Sequence, residues 1–267
     1  MQLQLVPART GWSWIRLGWK TFLRQPLALA GLFFMFMLLA SLLSVIPVLG
    51  VALVLALMPV VNLGLMAATR EADSGKFPMP SMLVTGLRGS RDRVRQLLLL
   101  GAGYAVAVAI ILLLVSAMAG DAIGPLVMSD DPGTEELQAA LQQRSTALLL
   151  ALVFYTPVSM AFWHAPALVH WHGVPPVKAL FFSLAACWAN KWAMLVYLLG
   201  WGLVLMVVGN VISAIAAAMG GAQALQMVFL PTSMLMAAIF HTSIYFTYRD
   251  SFSDTQIHTP GQDDRPD

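Results

Sequence analysis

Four stretches without a single Asp, Glu, Lys or Arg constrain this chain more than any other feature. They cover 45 residues between Arg24 and Arg70, 25 from Gln96 to Gly120, 33 from Ser145 to Val177 and 57 from Trp192 to Tyr248. A charge-free apolar run of about 20 residues matches the roughly 30 Å hydrocarbon core of a bilayer. The two longest runs each hold two such spans, and the other two hold one apiece. The expected fold is therefore all-α: an integral membrane six-helix bundle with spans near 27–46, 49–69, 97–119, 146–169, 192–212 and 225–247. These form a single transmembrane domain over residues 1–250, followed by a polar tail, 251–267, expected to be disordered.

Composition agrees. Hydrophobic residues make up 59% of the chain and charged residues 10%, against about 45–50% and 25% in soluble domains. That much apolar surface needs lipid to cover it. The sidedness of charge matters more than its sum. Of the 15 Lys and Arg, 14 fall before span 1, between spans 2 and 3, between spans 4 and 5, or after span 6, and only Arg144 falls opposite. Short loops rich in Lys and Arg stay in the cytoplasm. The expectation is a multi-pass membrane protein with both termini cytoplasmic. Residues 1–24 lack the continuous apolar region of a cleavable signal, and the lone Cys187 allows no intrachain disulfide.

The connections carry turn chemistry. Pro47 and Gly50 are expected to turn span 1 into span 2, and Gly220-Gly221 to do the same between spans 5 and 6. Loop 120–145 is acidic and long enough for one short helix, capped by Asp131 with Pro132 in its first turn and Leu137 and Leu141 on one face.

An internal repeat is also legible. Each odd span follows a cationic or amphipathic stretch that ends in an amide: Gln25, Gln96 and Asn190. Each even span carries a proline with similar followers: Pro59-Val-Val-Asn62, Pro157-Val-Ser-Met160 and Pro231-Thr-Ser-Met234. The simplest account is three copies of a surface helix plus a transmembrane hairpin; the alternative is coincidence in a Leu-, Val- and Ala-rich chain. In the first surface helix Trp12, Ile15, Trp19 and Phe22 share a face, opposite Arg16, Lys20 and Arg24. The third presents Val177, Leu180, Phe181, Leu184 and Trp188 as a stripe, while the second, around Pro80–Arg95, is less regular. A helix with basic and aromatic faces lies in the membrane interface. Arg16, Lys20, Arg24, Arg88, Arg91, Arg93 and Arg95 are thus candidate contacts for anionic lipid, although the helices could equally just anchor the bundle.

No span contains an Asp, Glu, Lys or Arg, which counts against proton-coupled transport. The spans do hold Asn62, Trp163, His164, His241 and Thr242. The even spans run in one direction, so Asn62, His164 and His241 lie at similar depth. With Thr242 they are candidates for an intramembrane polar pocket; the plainer alternative is that each makes an interhelical hydrogen bond of about 0.6 kcal/mol. Prolines 59, 157, 166 and 231 are expected to kink their spans, and small residues such as Gly31, Gly64, Gly101, Gly103, Gly200 and Gly202 to let helices approach closely. His170 and His172 stand two apart, do not share a helix face and have no carboxylate nearby, so no metal site is expected. Gly101-Ala-Gly103 follows no strand and is not a dinucleotide fingerprint. No cofactor, nucleic-acid or catalytic signature is present, and an enzyme is not expected.

The stretch Trp163-His-Ala-Pro166-Ala-Leu-Val169, then Val174-Pro-Pro176-Val-Lys-Ala179, Ser183, Ala186 and Asn190, resembles an uncharacterised beta-proteobacterial family of multi-pass inner-membrane proteins. More distantly the arrangement is similar to the membrane domain accompanying some glycerophosphoryl diester phosphodiesterases, whose catalytic domain has no counterpart here. The resemblance implies the architecture and carries no binding residues. Two functions follow as expectations: a non-enzymatic envelope or accessory protein engaging membrane lipids, another membrane protein or its own copies, or a carrier or channel for a small or amphipathic compound.

Overall fold

A computed structural model describes residues 2–119, 134–219 and 221–253. The chain forms an all-α membrane bundle whose nine helices, among the described residues, are α1 (Thr10–Arg24), α2 (Pro26–Ser44), α3 (Leu49–Asp73), α4 (Arg91–Ala119), α5 (Thr134–Trp163), α6 (Ala165–His172), α7 (Pro176–Ala189), α8 (Lys191–Met219) and α9 (Ala222–Ser251). A 3₁₀ helix, Pro80–Leu87, precedes α4. Six candidate spans are long and apolar enough to cross a bilayer: Pro26–Ser44, Leu49–Asp73, Arg91–Met118, Gln142–His172, Lys191–Met219 and Met227–Ser251. The expected cap at Asp131 and Pro132, the residue Gly220 and the tail beyond Ser253 lie outside the described residues.

Two stretches, α1–α2–α3 and α7–α8–α9, run short helix, long helix, long helix; between them the 3₁₀ helix precedes α4 and α5, and the short α6 follows. Gln25 and Asn190 stand at the C-terminal caps of α1 and α7, whereas Gln96 sits inside α4. The basic run Arg91–Arg95 is not a surface helix: it forms the first turns of a spanning helix, with Ser90 Oγ accepting from the Arg93 amide at 3.5 Å.

The amphipathic stripes also differ from expectation. Helix α1 packs on α8 and α9 and buries Trp14, Ile15, Gly18, Thr21 and Phe22, while Trp12 is 49% exposed. It is part of the bundle wall. A Cβ on Gly11 would strike the Ala193 carbonyl, and one on Gly18 would lie 2.5 Å from Ser243 Cβ. Those two glycines are what allow the close crossing. Helix α7 turns its small residues Ala179, Ser183, Ala186 and Cys187 inward. Val177, Phe181 and Trp188 point away, 80%, 64% and 65% exposed, whereas Leu180 of the same expected stripe packs against the core.

The turn between α2 and α3 places its positive φ at Val48 (60°), not at Gly50. The Leu49 amide donates to the Pro47 carbonyl at 2.6 Å, a tight three-residue turn. Gly50 instead serves a close approach to Leu43. The first and last described segments meet as well. Gln2–Leu3 pair antiparallel with Phe252–Ser253, and Phe252 is buried, so order extends past the expected boundary at Ser251. Asn190 clamps this junction: its Oδ1 accepts from the Val6 amide at 2.9 Å and its Nδ2 donates to the Gln4 carbonyl at 3.0 Å.

Pro59, Pro157 and Pro231 lie within continuous helices. The span expected as one helix over 146–169 breaks instead at His164, two residues before Pro166. There a side chain enters the backbone ladder. Ser183 Oγ donates to the Met160 carbonyl at 2.7 Å and accepts from the His164 amide at 2.9 Å. Those are the two groups that an unbroken helix would have paired with each other. Ser183→Ala orphans the His164 amide and leaves the Met160 carbonyl only the weak Cys187 thiol donor at 3.7 Å, and a buried unpaired polar group costs about 1–3 kcal/mol. The expected outcome is a melting temperature in detergent lowered by several degrees, read by tryptophan fluorescence. An unchanged value would mean the break does not depend on the hydroxyl.

Candidate functional site

Two hydroxyls on α9, Ser243 and Thr247, sit one turn apart on the same face. Each is used to capacity. Ser243 Oγ donates to the Phe240 carbonyl at 2.6 Å and accepts from the Tyr197 hydroxyl at 2.6 Å and the Trp201 indole at 3.2 Å. Thr247 Oγ1 donates to the Ile244 carbonyl at 2.7 Å and accepts from the Trp163 indole at 3.0 Å. Its remaining lone pair faces His164 Nε2 at 3.2 Å. Since the Thr247 proton is committed to Ile244, the network assigns the imidazole proton to Nε2. None of these hydroxyls stood out in the sequence, because Ser and Thr also satisfy themselves on a helix carbonyl one turn back.

The expected pocket residues do not form one site. His164 is fully buried beside Thr247, Ser183 and Phe252. His241 lies six residues before Thr247 on α9, about 9 Å along the axis and on another face. Its ring is flanked by Phe33 and Phe240, with centroids 5.4 and 5.8 Å away. Thr242 bonds its own helix at the Ala238 carbonyl. Asn62 Oδ1 and His241 Nδ1 are buried without a partner among the described residues. Helices α3 and α9, which carry them, pack on each other.

Cys187 Sγ lies 3.9 Å from His164 Nδ1, a nucleophile beside a base. Both are sealed from solvent. Burial pushes the Cys187 thiol up to about 12, the opposite of the depression that makes a cysteine reactive. The pair therefore packs as structure. Among the described residues no three His, Cys, Asp or Glu side chains gather as a metal site.

The candidate lipid-contacting cations are all exposed. Arg24 pairs with Asp73 at 3.8 Å, and Arg93 Nη1 donates to the His170 carbonyl at 3.2 Å. Arg16, Lys20, Arg88, Arg91 and Arg95 make no ion pair among the described residues. Arg91 and Arg95 line a groove of about 570 Å³ with Leu87, Val94, Leu98 and Leu99 at the start of α4. Basic side chains at a helix N-terminus oppose its dipole, a cost that Asp92 in the same first turn partly offsets.

No family model and no solved structure matches the sequence. The distant likeness to the phosphodiesterase-associated membrane domain therefore gains no support. A probable inner membrane protein of Burkholderia thailandensis is 40% identical over 265 residues, covering 98% of this chain and 96% of the relative. Six apolar helices and a relative matched end to end lead to one conclusion: the chain belongs to the same family of multi-pass inner-membrane proteins as this Burkholderia protein.

Proposed function

We propose that this protein is a non-enzymatic lipid-binding component of the inner membrane, holding anionic phospholipid at its basic end on the cytoplasmic side. The reading rests on the groove at the start of α4. Arg91 and Arg95 would take the headgroup, and the groove continues into Leu98 and Leu99, 46% and 56% exposed. Beyond them Val106, Ile110 and Leu113 extend an exposed apolar track on which an acyl chain can lie. A juxtamembrane cation contributes about 1 kcal/mol toward anionic lipid. Arg91→Gln/Arg95→Gln together should thus weaken retention of phosphatidylglycerol or cardiolipin about 30-fold in native mass spectrometry. Added salt should weaken the wild type in the same direction. Equal retention by both proteins would remove the proposal.

The sidedness of charge in the sequence, 14 of 15 Lys and Arg in the segments on the side of the termini, supports a cytoplasmic basic end. A fluorescent protein fused to the C-terminus should fluoresce, and alkaline phosphatase at the same point should be inactive. The reverse pattern would place the basic end in the periplasm.

A second reading, a carrier for a small or amphipathic compound, draws on the unpaired buried atoms of Asn62 and His241. Unpaired polar groups at this depth are costly unless something visits them. Radiolytic footprinting of the protein in nanodiscs checks this: a carrier path should expose His241 to water-borne oxidation, and full protection would count against it.

A further inference from the structure

The even spans do converge, but at their basic ends rather than at the depth of the histidines. A cavity of about 290 Å³ opens there between α3, α6 and α9, walled by Arg70, Trp171, His172, Tyr245, Tyr248 and Arg249, with Phe252 closing one side. Every polar wall residue except His172 ends in an N–H or O–H donor group. The Arg70 guanidinium stacks over Trp171, 5.5 Å from the ring centroid, and makes no ion pair among the described residues. The Trp171 indole N–H and the Tyr245 hydroxyl have no hydrogen-bond partner among them either. Tyr248 and His172 share a hydrogen bond of 2.7 Å.

The nearby carboxylates face elsewhere. Asp73 is approached by Arg24 and Thr21 of α1, and Asp250 Oδ2 accepts from the Trp14 indole of α1 at 2.9 Å. From behind the wall they hold Arg249, at 3.4 Å from Asp73 and 2.9 Å from Asp250. Arg249 is thereby held in place, while Arg70 keeps its donors for something else. Among the described residues no carboxylate lines the cavity.

The geometry points to a binding site for the phosphate group of a phosphoester, supplied either by a phospholipid headgroup from the bilayer or by a water-soluble phosphate. The Arg70 guanidinium, with the Tyr245 hydroxyl and the Trp171 indole around one small space and Arg249 fixed beside them by its carboxylates, matches a tetrahedral oxyanion, which accepts hydrogen bonds from several directions. The volume lies at the small end of ligand pockets, about 300–1,000 Å³, and suits a headgroup or small ester over a nucleotide. The site shares no residue with the groove at Arg91 and Arg95, so either can fail without the other.

The test follows the melting temperature of the full chain in neutral detergent. One arm adds sodium phosphate against sodium chloride at equal ionic strength. The other adds dihexanoyl phosphatidylglycerol against dihexanoylglycerol. A phosphate-bearing probe should raise the melting temperature, with apparent affinity at least about tenfold weaker in Arg70→Gln, the loss of one charge-assisted contact. Arg70→Lys should fall between, keeping charge without the fork. The shift should survive Arg91→Gln/Arg95→Gln. A response to inorganic phosphate identifies a soluble ligand, and a response to the lipid alone identifies a headgroup. Should Arg70→Gln fail to fold, Arg70→Lys and Tyr245→Phe carry the comparison. No response to either probe, an unchanged response in the Arg70 variants, or one lost only in Arg91→Gln/Arg95→Gln would overturn the assignment.

Discussion

Inside hydrocarbon there is no water to complete a hydrogen bond, so a spanning chain can bend only where protein supplies the missing partner. Ser183 does this for the fourth span. Its hydroxyl stands between the Met160 carbonyl and the His164 amide, and the helix is free to change direction there. Much follows from that one side chain. Helix α7 is drawn against the break, since Ser183 and Cys187 both reach Met160 from it. Helix α6 continues from the break and carries Trp171 and His172 to the cavity between α3 and α9.

Helix α9 is the hub to which this bend is fastened. Ser243 gathers α8 through Tyr197 and Trp201, Thr247 gathers the fourth span through Trp163 and His164, and Asp250 gathers α1 through Trp14. Three polar residues, roughly a turn apart, thus address three neighbours. Each bond is worth only about 0.6 kcal/mol in a membrane. Their weight lies in register: an aromatic donor that must find one hydroxyl fixes the height and rotation of its helix.

The spans were legible because absence of charge is a long, continuous signal that no local rearrangement erases. Pairing of side chains was not. Ser183, Ser243 and Thr247 look like any membrane hydroxyl until a donor from another helix is seen to reach them. The stripes on α1 and α7 show why amphipathicity misleads in lipid. Both sequences present large apolar residues on one face, yet α1 buries Trp14 and Phe22 in protein while α7 turns Phe181 and Trp188 outward. Lipid and protein are equally apolar solvents for such faces, so the small residues decide: Gly11 and Gly18 on α1, Ala179, Ser183 and Ala186 on α7. Equal depth brought Asn62, His164 and His241 together in sequence reasoning. Rotation about α9 separates the two histidines, and a linear sequence carries depth far better than rotation between helices.

The pairing of Gln2–Leu3 with Phe252–Ser253, and the docking of α1 on α8 and α9, have a consequence for biogenesis. Chains emerge from the ribosome N-terminus first. Helix α1 can meet α3 early, but it finds α8 and α9 only after those later spans have been made. Until then it needs somewhere to wait, and a helix with Trp12 and Trp19 beside Arg16, Lys20 and Arg24 is at home on the membrane surface. The amphipathic character of α1 describes this waiting state; its glycines describe the destination. Docking of α1 then closes the bundle against α8 and α9, helices that follow it late in the chain.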